Sequence, residues 1–301
     1  MTGGVPEEMP KSYEDEGCAE ADYVLVNLMM FAATDEDAYL DEAENTLVNH
    51  FFMNQFHTGG FGHRLYDWEI IGGNGWQGWD GKYGSENPGC CSLWGQWGLG
   101  NVGRFIATAS AGSLEVNLYP TSRVSLPAMG IRLAIESDFP RLRQAVLTVD
   151  TSRPEAVELR LRVPPWTETI AVDVNGADVP VRRENSRLCI RRVWHAGDVV
   201  RIQFKSGLRL VRWPKADSPL AAVFDGPLCL GLSSADGDVD GGLKLLLGAD
   251  GRLVPGPDGR PQLVGSQGPA LAVLRPIAEE WQSPELSNPH RVRILFGLLE
   301  R

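Results

Sequence analysis

Two cysteines stand side by side in Gly89-Cys90-Cys91-Ser92, and a third closely follows a carboxylate in Glu16-Gly17-Cys18. Neighbouring side chains diverge, so a bridge between vicinal thiols needs a strained ring outside the usual disulfide geometry. A metal ion accommodates them more simply, because zinc takes thiolates from different directions at about 2.3 Å. Cys18 and Glu16 add a third sulfur and an oxygen, enough for a four-ligand set. The plainer alternative is that these cysteines are small buried hydrophobes.

Composition narrows what such a centre would serve. The chain has 301 residues, 43% hydrophobic and 22% charged, enough to bury a real core as one large domain or two moderate ones. Its net charge of −11 repels nucleic acid and anionic membrane surfaces, so neither is an expected partner. Nine tryptophans point instead to flat apolar faces of the kind that hold sugars. No apolar run reaches membrane length, and no basic-then-apolar leader stands at the start. With an odd set of five cysteines in no small-scaffold spacing, a reducing, cytoplasmic compartment is expected.

The elements that must position the thiols begin at once. Met1 to Asp15 reads as a loop holding Thr2-Gly3-Gly4 and the pair Glu7-Glu8. From Cys18, residues Ala21, Val24, Leu25, Leu28, Phe31 and Ala32 share one helical face and run to about Thr34. Thr34 or Asp35 can cap a second helix, with Asp35, Glu36 and Asp37 at its positive end. Leu40, Ala43, Leu47, Val48 and Phe51 continue that stripe, and the two helices form a hairpin.

Residues 57–88 crowd glycines between Tyr66, Trp68, Trp76, Trp79 and Tyr83, and read either as a sugar-facing loop or as an insertion packed on the helices. A third helix should follow the cysteine pair and end near Ala109. Its interruptions at Gly95, Gly98, Gly100 and Gly103 make sense if the helix packs tightly against others or if it is irregular.

From about Ser113 the chain turns to strands. Val157 to Val163 alternates strictly, and Ile170, Val172 and Val174 run into Asn175-Gly176, a strong hairpin signal. Strand-like runs at 116–119, 131–135, 145–149, 188–193, 199–204, 208–213 and 220–232 have the spacing of a sandwich. Cys189 and Cys229 fall inside such runs and read as core. After Ser233 the chain is rich in Gly, Asp and Pro. Asp236 to Gly241 imitates the start of a calcium loop but carries Leu247 where a bidentate Glu is needed. Asp250-Gly251 and Asp258-Gly259 read as turns, and Leu271 to Leu274 and Val292 to Leu299 as closing strands. The expected division is 1–112 helical with the Gly/aromatic insertion, 113–232 sandwich, and 233–301 loops and closing strands.

Glu-x-Cys opening one helix and Cys-Cys opening another, ahead of a sandwich, resembles glycoside hydrolase family 127, the β-L-arabinofuranosidases. Arg162-Val163-Pro164-Pro165-Trp166, Val174-Asn175-Gly176, Trp194-His195-Ala196-Gly197-Asp198 and Phe224-Asp225-Gly226-Pro227 strengthen the resemblance. It implies an α+β multidomain fold: the C-terminal part of an (α/α)6 toroid, incomplete here, followed by an antiparallel β-sandwich. It implies Zn²⁺ held by Glu16, Cys18, Cys90 and Cys91, with Cys90 as the nucleophile of a retaining glycosidase. Glu7 and Glu8 are the carboxylates nearest the place of the family's acid/base. Two departures stand out: Ser92-Leu93-Trp94 replaces the usual Pro-Pro-Asn, and only three of about twelve toroid helices are visible. The chain is therefore expected to be a C-terminal piece, a truncated relative, or one whose remaining helices lie on another chain.

Three activities compete on these residues. The first is a glycosidase releasing terminal L-arabinofuranose or a related sugar from a glycan, with a homodimer through the sandwich as the expected assembly. The second is a catalytically inactive, zinc-stapled module that binds glycans. The third, thiol redox chemistry at Cys90-Cys91, lacks the Cys-x-x-Cys spacing such proteins use.

Overall fold

The computed structural model describes residues 14–56, 59–66, 76–77, 89–110, 112–152, 154, 156–212, 220–233, 242–256, 259–265, 268–270, 273–282 and 292–300. Thr2-Gly3-Gly4, Glu7, Glu8, most of the Gly/aromatic insertion and Asp236 to Gly241 lie outside them. The described residues are mostly β-sheet, with three α-helices: α1 (Gly17–Thr34), α2 (Asp37–Thr46) and α3 (Cys91–Val102). They divide into two compact units, one of Met1–Asn27, Glu42–Gly100 and Leu208–Arg301, the other of Leu28–Asp41 and Asn101–Gly207.

The helices form where the apolar spacing requires. Ala21, Val24, Leu25, Leu28 and Phe31 of α1 are buried, whereas Ala32 faces out. Thr34 ends α1 by returning its hydroxyl to the Met30 carbonyl at 2.8 Å, and Asp35 turns the chain at a φ of 59°. The same Thr34 oxygen accepts the Glu36 amide at 3.3 Å, which starts α2. Leu47–Phe51 forms a π-helical turn after α2. That extra residue in the turn brings Val48, Asn49, His50 and Phe51 all inward.

The second unit holds two sheets. One runs in the order 177–178, 169–174, 198–205, 144–151, 131–137, 122–126; the other runs 182–184, 187–193, 156–162, 113–116, 107–110. Each buries alternate residues, Leu133, Ile135, Leu147, Val149, Val200 and Ile202 in the first and Leu159 and Leu161 in the second. Tyr119 ties them, its ring 5.1 Å from Phe204 in the first and its hydroxyl donating to the Arg162 carbonyl in the second. Asn175 and Gly176 adopt φ of 57° and 77°, the tight turn their pair predicts. Asp37 and Asp41 of α2 reach the buried guanidiniums of Arg187 and Arg162 at 2.6 Å each.

Two expectations need correction here. α3 stops at Val102, not near Ala109; Gly103–Phe105 is a 3-10 turn and Ala107–Ser110 is already a strand. The Ile106 carbonyl accepts the Asn117 amide at 2.8 Å, a non-local bond that redirects the chain. Sheet pairing is not wholly antiparallel, because Ser113–Val116 runs parallel to Ala156–Arg162. The intervening chain passes through the other sheet and returns in the same direction, the long crossover that parallel neighbours require.

In the first unit a twelve-stranded sheet joins both ends of the chain among the described residues. Its path runs from Glu14–Glu16 through His63–Tyr66, Trp76–Gln77, Val292–Arg293, Leu228–Ser233 and Leu220–Asp225 to Phe296–Glu300 and Lys244–Leu247. Lys244–Leu247 lies in the segment read as loop, and Val273 and Leu274 are not strand; Leu274 instead plugs the core with Val223, Leu245 and Phe296. Cys189 and Cys229 are buried, as their place in apolar runs suggested.

Candidate metal centre

The four predicted ligands meet in the first unit at the ends of two helices. The edge strand Glu14–Glu16 pairs with His63–Tyr66 in antiparallel register, Glu16 opposite His63, and passes directly into α1. That places Glu16 and Cys18 at the start of α1. Cys91 opens α3, with Cys90 just before it. Helix N-termini carry partial positive charge and favour thiolate there.

Close packing sets the distance between the helix ends. A β-carbon on Gly98 would lie 2.7 Å from the β-carbon of Ala21, so only glycine lets α3 approach α1 this closely. A β-carbon on Gly95 would run into the Phe61 ring. Phe61, itself fully buried, packs on Phe51 at 4.6 Å and forms the apolar floor of the centre with Ala21 and Cys91. Ser92 locks this floor to α3. Its hydroxyl accepts the Phe61 amide and donates to the Phe61 carbonyl, each at 3.0 Å. The Gly62 carbonyl accepts the Gly17 amide at 3.0 Å, and the Asn54 carbonyl accepts the Gly62 amide at 3.1 Å. Asn54 also donates to the buried Glu20 carboxylate at 2.9 Å. Beneath it, Asn49 of the π-helical turn donates to the Pro227 carbonyl at 3.0 Å and accepts the Cys229 amide at 2.7 Å, fixing the turn to the sheet.

The result is a compact donor set. The Cys18 sulfur lies 3.3 Å from Glu16 Oε2, 3.4 Å from the Cys90 sulfur and 3.7 Å from the Cys91 sulfur. One ligand atom from each of the four residues lies within 4.8 Å of the others. A tetrahedron with metal–sulfur bonds of about 2.3 Å has sulfur–sulfur edges of roughly 3.8 Å. The donors therefore fit a thiophilic cation. Glu16 and Cys91 are buried, Cys18 is half-buried and Cys90 is exposed, and none of the five cysteines forms a disulfide.

Crowding governs the thiols' acidity. Hydrogen bonding with Cys91 and then burial push the Cys18 thiol well above the ordinary range. Hydrogen bonding with Cys18, then burial, raises Cys90 to about 11. Cys18 and Cys90 thus hold their protons at neutral pH until a cation joins them.

Glu7 and Glu8 lie outside the described residues, so the proposed acid/base is not placed. Sequence reasoning missed Ser92, Phe61 and Asp22. The only signal for their part of the structure was the Gly95/Gly98 spacing, which correctly pointed to helices in close contact. A second sulfur–carboxylate group, Glu158, Glu184 and Cys189, occurs in the other unit. Arg182 reaches Glu184 at 2.8 Å and Glu158 at 3.1 Å, and Arg160 reaches Glu184 at 3.3 Å. Its charges are met by guanidiniums.

A helix-end cluster of three thiols and a carboxylate, in a β-rich protein with a two-sheet unit, defines a candidate metalloprotein. Residues 113–206 match the middle domain of the GH127 β-L-arabinofuranosidases. No curated protein matches the sequence. The fold is similar to that of Ara127N, a GH127 β-L-arabinofuranosidase from Geobacillus stearothermophilus T6, with a TM-score of 0.71 at 20% identity over 100% of this chain and 54% of that one. It is similar also to BT3674, a GH127 β-arabinofuranosidase, with a TM-score of 0.70 at 18% identity over 99% of this chain and 53% of that one. The resemblance to family 127 therefore holds in the sandwich sequence and in the fold throughout, and the chain spans about half the length of those structures.

Proposed function

We propose that this chain carries the thiol centre of a retaining glycoside hydrolase acting on a terminal L-arabinofuranoside or related sugar of a glycan. In this reading α1, α2 and α3 belong to the C-terminal part of an (α/α)6 toroid. The observation that carries it is the meeting of Glu16 and Cys18 with Cys90 and Cys91, more than seventy residues away along the chain. The donor set is rich in soft sulfur, which suits Zn²⁺. A bound zinc ion would keep the sulfurs anionic at neutral pH.

The residues divide the work by exposure. Glu16, Cys18, Cys90 and Cys91 would hold the metal, Glu16 and Cys91 buried and Cys18 half-buried, while Cys90 at the surface can also reach a sugar. The Cys90 thiolate attacks the anomeric carbon and the glycosidic bond breaks. The departing oxygen takes a proton from Glu8 or Glu7. The same carboxylate then removes a proton from water, whose oxygen displaces the Cys90 sulfur and restores the thiolate. Two inversions at one carbon give net retention.

An L-arabinofuranose-configured epoxide tests this directly. It should add one sugar mass to Cys90 in the wild type and none in Cys90→Ala, while Glu8→Gln or Glu7→Gln lowers turnover of an aryl arabinofuranoside by at least about a hundredfold. An unlabelled Cys90 overturns the reading. The half-exposed indoles of Trp94 and Trp97 favour a second one, a zinc-stapled glycan-binding relative without turnover. It predicts metal and sugar binding but no label.

A further inference from the structure

We propose that Trp94 and Trp97 form a sugar-stacking platform for the part of a glycan beyond the scissile bond. This rests on the glycosidase reading for its alignment with Cys90, but not for the binding itself. The Trp94 amide donates to the Cys90 carbonyl at 3.0 Å, one helical turn apart. Cys90, Trp94 and Trp97 thus recur at intervals of four and three residues, a single stripe on α3. The buried stripe of that helix is different: Cys91, Gly95, Gly98 and Val102. Helical side chains lean toward the N-terminus, the end at which Cys90 stands.

The two indoles are built as a surface. They are 46% and 51% exposed, with ring centroids 5.3 Å apart and planes only 33° from parallel. Trp94 Nε1 donates to Asp22 Oδ1 of α1 at 2.7 Å, which ties the ring to α1, while packing on Trp97 leaves the outer side of the pair exposed. A flat, pre-oriented apolar face with a polar anchor suits the C–H face of a sugar ring and limits the ordering cost of binding. Trp94 also stands where the family resemblance implies Asn, so the platform is a property of this chain.

The test compares L-arabinose with a soluble L-arabino-oligosaccharide, titrated against the full chain by calorimetry and tryptophan emission. The oligosaccharide should bind at least about tenfold more tightly than the monosaccharide. Trp94→Ala or Trp97→Ala should erase that advantage, Trp94→Phe should keep most of it, and Asp22→Ala should weaken binding about threefold. Circular dichroism checks that each variant folds. Binding that depends on Trp94 without any hydrolysis sinks the glycosidase reading and keeps the platform. Hydrolysis with oligosaccharide affinity unchanged in both Trp variants sinks the platform alone. A wild type with no affinity for the oligosaccharide overturns the platform. So does a Trp94→Ala variant that only converts a dimer to a monomer, since that face would then be covered by protein.

Discussion

Two groups of sulfur and carboxylate in this molecule look alike in composition and differ in how their charge is met. Glu158, Glu184 and Cys189 lie on strands, with Arg160 and Arg182 interleaved among the carboxylates. Glu16, Cys18, Cys90 and Cys91 lie at helix ends and hydrogen-bond among themselves. In the first group the protein supplies the cations. In the second, hydrogen bonding among the thiols, then burial, raises the pKa of Cys18 and Cys90, so their anionic form waits for a cation from outside. Sulfur next to carboxylate is therefore not by itself a metal signal; three thiols converging with one carboxylate at two helix ends make it one.

The comparison can be broken at several points. The largest effect is expected at Gly95→Val, which drives a branched side chain into Phe61 and separates the helix ends. Overpacking of this kind costs about 3 kcal/mol, and thermal unfolding with and without zinc should show both lost stability and lost metal protection. Ser92→Ala should cost about 1–2 kcal/mol, by leaving the buried Phe61 amide without its acceptor.

The pH responses of the two groups should run in opposite directions. Cys90 is raised from 9.0 to about 11 in the folded, metal-free chain. A raised value contributes stability below the unfolded value and loses it as pH climbs, so chelated protein should weaken between pH 9 and about 11. Zinc-loaded protein should not. Glu184 is held below its ordinary value of 4.5, chiefly by the hydrogen bond from Arg182. A lowered value contributes stability above the unfolded value and loses it as pH falls, so this group should weaken only below pH 4.5, with or without metal. Unfolding midpoints across pH check both. The smallest effect is expected at Arg182→Ala, a barely measurable shift in the unfolding midpoint, because that pair is solvent-exposed and screened.

Much of this was legible from local chemistry. The stripe Ala21 to Phe31, the Asn175-Gly176 turn and the alternation of Val157 to Val163 each carry their structure within a few residues. The ligand set was legible because vicinal thiols leave few other partners. What escaped reading depends on distant pairing. Ser122–Leu126 only half-buries one face, with Val124 and Leu126 its only apolar residues, and it exists by pairing with Ile131–Ser137. Lys244–Leu247 is a strand because it lies parallel to Phe296–Glu300, some fifty residues away. α3 ends at Val102 because Asn117 claims the Ile106 carbonyl. Likewise, nothing in the sequence joins Ser92 to Phe61; only the folded turn at Leu47–Phe51 brings that floor under the thiols.

Zinc content of the purified chain, measured by mass spectrometry alongside Cys91→Ala and Cys189→Ala, tests the central claim most directly. The account predicts about one zinc per wild-type chain, the same in Cys189→Ala, and a loss of at least about tenfold in affinity in Cys91→Ala. A wild type that takes up no zinc, or a Cys91→Ala chain that retains it in full, would contradict it.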